Sequence, residues 1–515
     1  MLGIGSVSEG LGLERTRHFA VVDRDFALPD LTTLEPVAIV TDPVETDDFT
    51  TTYFDTVDLR LAARQITLRH RTTGAGGDWD LRTSADDPAI LVRTNPGHAD
   101  PTVPPELTEL VRGSVRDKDL VPVASVRTVR IERRLLDADG RTLARVGDDQ
   151  HHGLRFALGG PDLTHWRELT VELLDGDHDL LAAVSSSLSD AGLATASTVK
   201  LDRVLGHDHG SVTDLRKPPA DGTVGALLAT RLREGISLLV EQDWALRTDG
   251  PDAVHDMRVA VRRLRSDLSI WRPFLDQART DAVRPELSWL GKLLGRLCDA
   301  EMLEARLVGS ARRLPADMVV GPVADRIESE LQDRKAVGAE RLTTAIESVR
   351  YFALLDALES MSDDPPLSVR AEEAAEEALA VRIAQTIIRF DRAAEALDAP
   401  ASPEVRNDRL HEMRKATRRV RHAARATEPQ FGRRARRLAD RMTDLQDLLG
   451  ERRDSVVARQ ALQDIGAAAH GAGESAFTYG ILHGMERDRG EEAEQAFEAA
   501  RGALGPSRVH RWMPA

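Results

Sequence analysis

Two stretches of this chain carry the same chemistry at the same spacing. HDMRVAVRRLR starts at His255 and HEMRKATRRVR at His411, 156 residues apart, and both give H-x-x-R-x-x-x-R-R-x-R. A helix turns about 100° per residue, so His255, Arg258, Arg262 and Arg265 share one stripe while Met257, Val261, Leu264 and Leu268 take the opposite side. His411, Arg414, Arg418 and Arg421 repeat the pattern, and Arg425 adds a further turn. A guanidinium presents a planar fork that matches two phosphate oxygens, so such a stripe suits a phosphate-bearing anion. It can also be an ordinary solvated face. A face that is merely soluble normally interleaves carboxylates four residues away, and these stripes have none.

A second pair of blocks follows. Leu293-Leu294-Gly295 leads to Asp299 as Leu448-Leu449-Gly450 leads to Asp454. Ordered blocks recurring at near-constant spacing indicate an internal duplication, with the two aspartates placed to orient arginines. The surrounding pattern is helical from Thr223 onward, with helices expected near 223–246, 251–271, 280–309, 322–347 and 350–361. The second set is expected near 370–397, 403–425, 430–449, 452–469 and 474–502. Segment 371–380 is acidic and reads as a solvated helix.

From about Val224 to Leu504, these motifs resemble the CHAD family, whose name records a histidine in an α-helical domain. The resemblance implies a pseudo-twofold pair of helical bundles with basic residues lining a central groove or pore that binds inorganic polyphosphate. Carried onto this chain, the implied ligand-binding residues are His255, Arg258, Arg262, Arg263, Arg265, His411, Arg414, Lys415, Arg418, Arg419 and Arg421. Cys298 departs from the family pattern, which usually has a basic residue before the aspartate.

The first 205 residues read differently, as short alternating runs between turn residues. In Gln65-Ile66-Thr67-Leu68-Arg69-His70-Arg71, Ile66 and Leu68 face one way and Arg69 and Arg71 the other. Trp79-Asp80-Leu81-Arg82 continues the alternation, Arg127 to Leu136 is a further strand, and a helix is expected at Asp179 to Ala191. Together with Tyr53-Phe54-Asp55-Thr56, Asp58-Leu59-Arg60-Leu61, Asp137-Ala138-Asp139-Gly140, Asp148-Asp149 and Trp166 to Glu172, this segment resembles the CYTH family of triphosphate tunnel proteins. The resemblance implies antiparallel strands closing a tunnel or barrel. Arg69, Arg71, Arg82, Arg130 and Lys200 would hold phosphates there, and Glu14, Asp149 and Glu172 would hold Mg²⁺ or Mn²⁺. Glu14, His18, Glu168 and Glu172 are the candidate catalytic groups.

The family signature E-x-E-x-K on the first strand becomes Glu14-Arg15-Thr16-Arg17-His18 when Phe19 is taken as the following aromatic. The later E-x-E becomes Thr170-Val171-Glu172. A hard divalent cation needs several carboxylate oxygens, and phosphoryl transfer needs cationic stabilisation of spreading charge. Binding is therefore expected to outlast catalysis in this tunnel. If it were an enzyme, it would be a metal-dependent triphosphatase acting on triphosphate or a nucleotide.

Composition bounds the remaining choices. The 515 residues allow several domains: a tail at 1–12, a CYTH-like domain at 13–206, a linker at 207–222, a CHAD domain at 223–505 and a tail at 506–515. The CHAD halves are expected at about 223–361 and 370–505, making an α+β multidomain chain. The single Cys298 cannot form an internal disulfide, and no run of 18 apolar residues occurs. A cytoplasmic protein that does not bind membranes is expected, with association to polyphosphate granules as a further possibility. Net charge is −16, yet 409–437 carries eleven Lys or Arg against Glu412 and Glu428. A focused positive site on an acidic body selects compact polyanions over nucleic acid. Aromatic residues make up only 4%, too few for base-stacking platforms. The alternative function is a scaffold that docks on polyphosphate granules.

Overall fold

The computed structural model describes residues 15–23, 25–73, 76–83, 91–94, 102–156, 162–196, 200–206 and 220–504. The two expected tails, Glu14 and most of the expected linker lie outside the described residues. The chain divides into two compact units, Met1–Thr213 and Asp214–Ala515.

The first unit is built on one antiparallel sheet. Its strands are β1 (Thr16–Val21), β2 (Ile39–Val40), β3 (Val44–Asp55), β4 (Ile66–Thr73), β5 (Gly76–Thr83), β6 (Leu91–Thr94), β7 (Val121–Leu136), β8 (Thr142–Arg155), β9 (Asp162–Leu173) and β10 (Ala194–Thr195). Three helices accompany them: α1 (Pro105–Val115), α2 (His178–Asp190) and α3 (Lys200–Leu205). The spatial order is β10-β1-β9-β8-β7-β3-β4-β5-β6, with β2 pairing off this path on β7.

The expected closed tunnel is not what forms: among the described residues the sheet is open, ending at β10 and β6. Closure needs end strands long enough to pair with each other at a fixed stagger. Here one end is the two-residue β10 and the other the four-residue β6. The sheet nevertheless curls. The Lys200 ammonium feels both Arg69 on β4 and Glu168 on β9, which lie four ladder steps apart. A flat sheet would separate those strands by roughly 19 Å, at about 4.8 Å per step. Phe19, Val146, Leu169 and Val171 form the other face and pack with α2 through Leu180, Leu181, Val184 and Leu188.

The second unit is helical: α4 (Val224–Arg247), α5 (Ala253–Ile270), α6 (Gln277–Arg312), α7 (Val323–Ile346), α8 (Val349–Asp363), α9 (Ala375–Asp398), α10 (Pro403–Ala426), α11 (Glu428–Phe431), α12 (Arg433–Gly471) and α13 (Phe477–Leu504). The first repeat helix, α5, buries Met257, Val261, Leu264 and Leu268; α10 buries Met413, Thr417 and Val420. Ser402 caps α10 by accepting from the Val405 amide, and Pro403 sits in its first turn, where a missing N–H does no harm.

Thr223 and Ala374, which precede α4 and α9, pair through an isolated antiparallel bridge. An antiparallel pairing of equivalent residues has a local twofold axis, and the halves share one continuous core from Val224 to Leu504. The expected pair of helices at 430–449 and 452–469 is instead the single α12. Gly450 costs only about 1 kcal/mol in a helix, and the packing of α12 along α13 outweighs it. The acidic segment at 371–380 is helical only from Ala375, after a single 3-10 turn at Val369–Glu372.

Candidate anion-binding site

α5 and α10 lie against one another with their arginine stripes facing a common cleft of about 530 Å³. Arg262 and Arg265 from α5, Arg284 from α6, and Lys415, Arg418 and Arg419 from α10 line it. Ser266, Ser269 and Ser288 add hydroxyls, and Asp281 is the one acid in the lining. Asp281 is held by Arg272 at 2.8 Å and Arg284 at 3.2 Å. Among the described residues, Arg262, Arg265, Arg418, Arg419 and Arg421 make no ion pair with any carboxylate.

That crowding is legible in the electrostatics. Burial, then the charges of Arg262, Arg414, Arg265 and Arg419, pulls the Arg418 guanidinium down to about 10. Arg421 falls to about 10 through burial, Arg425 and Arg262. Arg262 is lowered by burial and by Arg258 and Arg414; burial lowers Arg265. Like charges held together without partners raise the energy of the ligand-free state, and an arriving polyanion relieves it.

Beside the cleft, Asp299 fastens one half to the other. It accepts from Arg258 at 3.0 Å and from Arg453 of the second half at 3.2 Å. Burial opposes the charge of Arg258, but Asp299 and the Cys298 thiol outweigh it and raise its pKa. Arg414 adjoins this junction, lowered by burial and by Arg453.

The sequence-derived residues thus separate into groups. Arg262, Arg265, Lys415, Arg418 and Arg419 line the cleft, while Arg258, Arg414 and Arg421 border it. Arg263 does not join them, being paired with Glu234 on α4. His255, in the first turn of α5, and His411, more than two turns into α10, are exposed and do not line the cleft. Sequence reading missed Arg284, Arg453 and His422. Arg453 had a signal, since it occupies in the second LLG…D block the position that Cys298 takes in the first. His422 sits beside the stripe with Nε2 buried and unpartnered among the described residues; burial and the charges of Arg421, Arg262, Arg418 and Arg231 push it down to about 3.

The curled sheet carries a second polar cluster. Strand register puts Arg69 and Arg71 (β4), Arg82 (β5), Arg130 (β7), Asp149 (β8), Glu168 and Glu172 (β9) and His18 (β1) on one face. Lys200, at the start of α3, reaches this face with Nζ 3.3 Å from His151 Nε2. Opposite one another on β1 and β9 stand Thr16 and Glu172, then His18 and Thr170. Most of the acid oxygens are occupied: Asp149 accepts from Arg130 at 2.6 and 2.7 Å, Glu172 from Arg145 at 2.8 Å, and Glu168 Oε1 from Trp166 and Arg203, each at 2.9 Å, while Glu168 Oε2 lies 3.4 Å from His151 Nε2. Among the described residues, no group of three or more His, Cys, Asp or Glu side chains is placed to hold a metal ion. This donor set does not fit a divalent cation, which needs free carboxylate oxygens. His18 is lowered by burial and by Lys200, so it is neutral near pH 7 and replaces no lysine charge.

The described residues thus form a curled antiparallel sheet followed by a duplicated helical bundle with a cation-lined cleft at its seam. Residues 230–463 match the family model for the CHAD domain. The chain is a CHAD-domain protein of the same family as the uncharacterized protein MT2285 of Mycobacterium tuberculosis, with 34% identity over 503 residues covering 95% of each chain. Among solved structures it is similar to PptA from Streptomyces chartreusis, at 22% identity and a TM-score of 0.47, covering 55% of this chain and 100% of that one. The CHAD domain from the plant Ricinus communis is similar at 23% identity and a TM-score of 0.44, covering 56% of this chain and 94% of that one. Among the described residues, no helix is long and apolar enough to cross a membrane.

Proposed function

We propose that this protein binds inorganic polyphosphate in the cleft between α5 and α10. The observation that carries this reading is the convergence of Arg262, Arg265, Arg418 and Arg419 on one cleft with no carboxylate partner. Folding does not gather uncompensated guanidinium groups for stability, because the assembled charges repel. A chain of phosphates supplies the missing negative charge at a repeating interval and accepts two-point contacts from each arginine. The −16 net charge of the whole chain repels large polyanions elsewhere and leaves this cleft as the favoured landing place. The protein acts as a binder, and docking on polyphosphate bodies follows directly from such binding.

The test is a titration of long-chain polyphosphate across a salt series. Counterion release makes log affinity fall linearly with log salt, by roughly 0.7 to 0.9 per neutralised phosphate, so four to six contacts give a slope of about −3 to −5. A slope near zero would overturn the reading.

A second reading is favoured by the convergence of Arg69, Arg71, Arg82, Arg130 and Lys200 on the concave sheet face. That face binds a compact phosphate anion but turns it over poorly, because its acids are tied to cations and Thr16 and Thr170 stand where carboxylates are needed. Tripolyphosphate incubated with Mg²⁺ or Mn²⁺ is expected to release phosphate at no more than a few times the protein-free rate. Robust hydrolysis, abolished by Glu172→Ala, would reverse this expectation.

A further inference from the structure

The duplication lets each half of the helical unit serve as a control for the other. Thr223 and Ala374 are equivalent, so Arg231 corresponds to Arg382 and Glu234 to Gln385. Buried positions agree along the way, Leu228 with Leu379, Leu232 with Ile383 and Ile236 with Ile387. By the repeat motif, Arg263 corresponds to Arg419 and Asp267 to Ala423.

In the first half these arginines are neutralised. Arg231 donates to the buried Asp267 at 3.0 and 3.1 Å, and Arg263 pairs with Glu234. In the second half both acids are gone. Arg382 donates instead to the Ile270 carbonyl at 2.5 Å and to Gln385 Oε1 at 2.7 Å, both uncharged acceptors. Burial and the charges of Arg389, Arg419 and Arg370 act against its own charge. Arg389 is exposed two turns further along α9, and Arg382, Arg389 and Arg419 have no acidic residue three or four positions away. None of the three makes an ion pair among the described residues. Ile270 and Arg419 themselves line the cleft, so the uncompensated charge runs without a break from its edge onto α9.

We propose that the anion path leaves the cleft on one side only, past Arg419 and over Arg382 and Arg389, and so accommodates a linear polyphosphate longer than the cleft. This inference rests on the cleft being the polyphosphate site. The opposite exit is closed electrostatically, because Glu234 and Asp267 cancel the corresponding cations and would repel phosphate. A linear chain of phosphates suits the path, since it can follow successive cations across a helix surface as a compact anion cannot.

The experiment compares affinities for tripolyphosphate and for long-chain polyphosphate in wild type, Arg389→Glu, Gln385→Glu and the Arg262→Ala/Arg418→Ala double variant. Gln385→Glu restores the acid that the first half already has, so it neutralises the path without removing an arginine. Both α9 variants are expected to weaken long-chain binding about five- to tenfold, with tripolyphosphate affinity changed less than twofold. If they weaken both ligands alike, or leave long-chain binding intact while the double variant loses both, the path over α9 is wrong and the cleft stands. If the double variant loses neither ligand, the cleft reading itself fails.

Discussion

Alanine at both Arg262 and Arg418 is expected to weaken long-chain polyphosphate binding about a hundredfold while the melting temperature of the ligand-free protein holds or rises. Two charge-assisted phosphate contacts at about 1.4 kcal/mol each account for that factor. The stability half of the expectation is the diagnostic one. Arg418 is held down first by burial and then by the charges of Arg262, Arg414 and Arg265, so removing two members of the cluster relieves repulsion and breaks no ion pair. In wild type, saturating polyphosphate should raise the melting temperature by mass action, and in the double variant that rise should shrink. Melting temperatures for both proteins, with and without polyphosphate, make the check. An equal ligand-induced rise in the two would place the site elsewhere, and a large loss of ligand-free stability would make the arginines structural.

Acidification is expected to destabilise the ligand-free protein through His422. Its folded pKa is depressed to about 3 by burial and by Arg421, Arg262, Arg418 and Arg231, against about 6.5 when unfolded. The unfolded chain therefore binds a proton that the folded one refuses. Stability from this group is fully present above about pH 7 and is lost as pH falls through 6.5 toward 3. Between pH 7.5 and 5 the loss amounts to about 2 kcal/mol. His422→Ser, which copies Ser266 at the equivalent place in the first half, should flatten the dependence in that window. Bound polyphosphate should flatten it too, because phosphates supply the counter-charge an imidazolium lacks there. Denaturant unfolding at a series of pH values reads this directly, and superimposable curves for the two proteins would remove His422 from the account.

Much of the helical unit was legible because its signals are local. The 3.6-residue period alone places Met257, Val261 and Leu264 inward and Arg258, Arg262 and Arg265 on the other side, and all three apolar residues are fully buried. The duplicated HxxR and LLG…D blocks mark α5, α10 and the aspartates by spacing alone. Strand alternation likewise put Arg69 and Arg71 on the face opposite Ile66 and Leu68, where the register of β4 keeps them. Boundaries were less legible: Gly450 reads as a break and is not one, because packing against α13 overrides the weak local preference.

What tertiary structure alone decided is which charges are answered. Arg263 and Arg419 occupy the same motif position, yet a glutamate on α4 silences the first and a glutamine on α9 leaves the second free. Asp299 binds an arginine of its own half and one of the other half, a pairing that no spacing in the sequence announces. Among the described residues the sheet stays open because its outermost strands are too short to meet. Periodicity follows from backbone geometry within a few residues. Compensation of charge and closure of a sheet depend on groups tens to more than a hundred residues apart, whose approach only the packed chain defines.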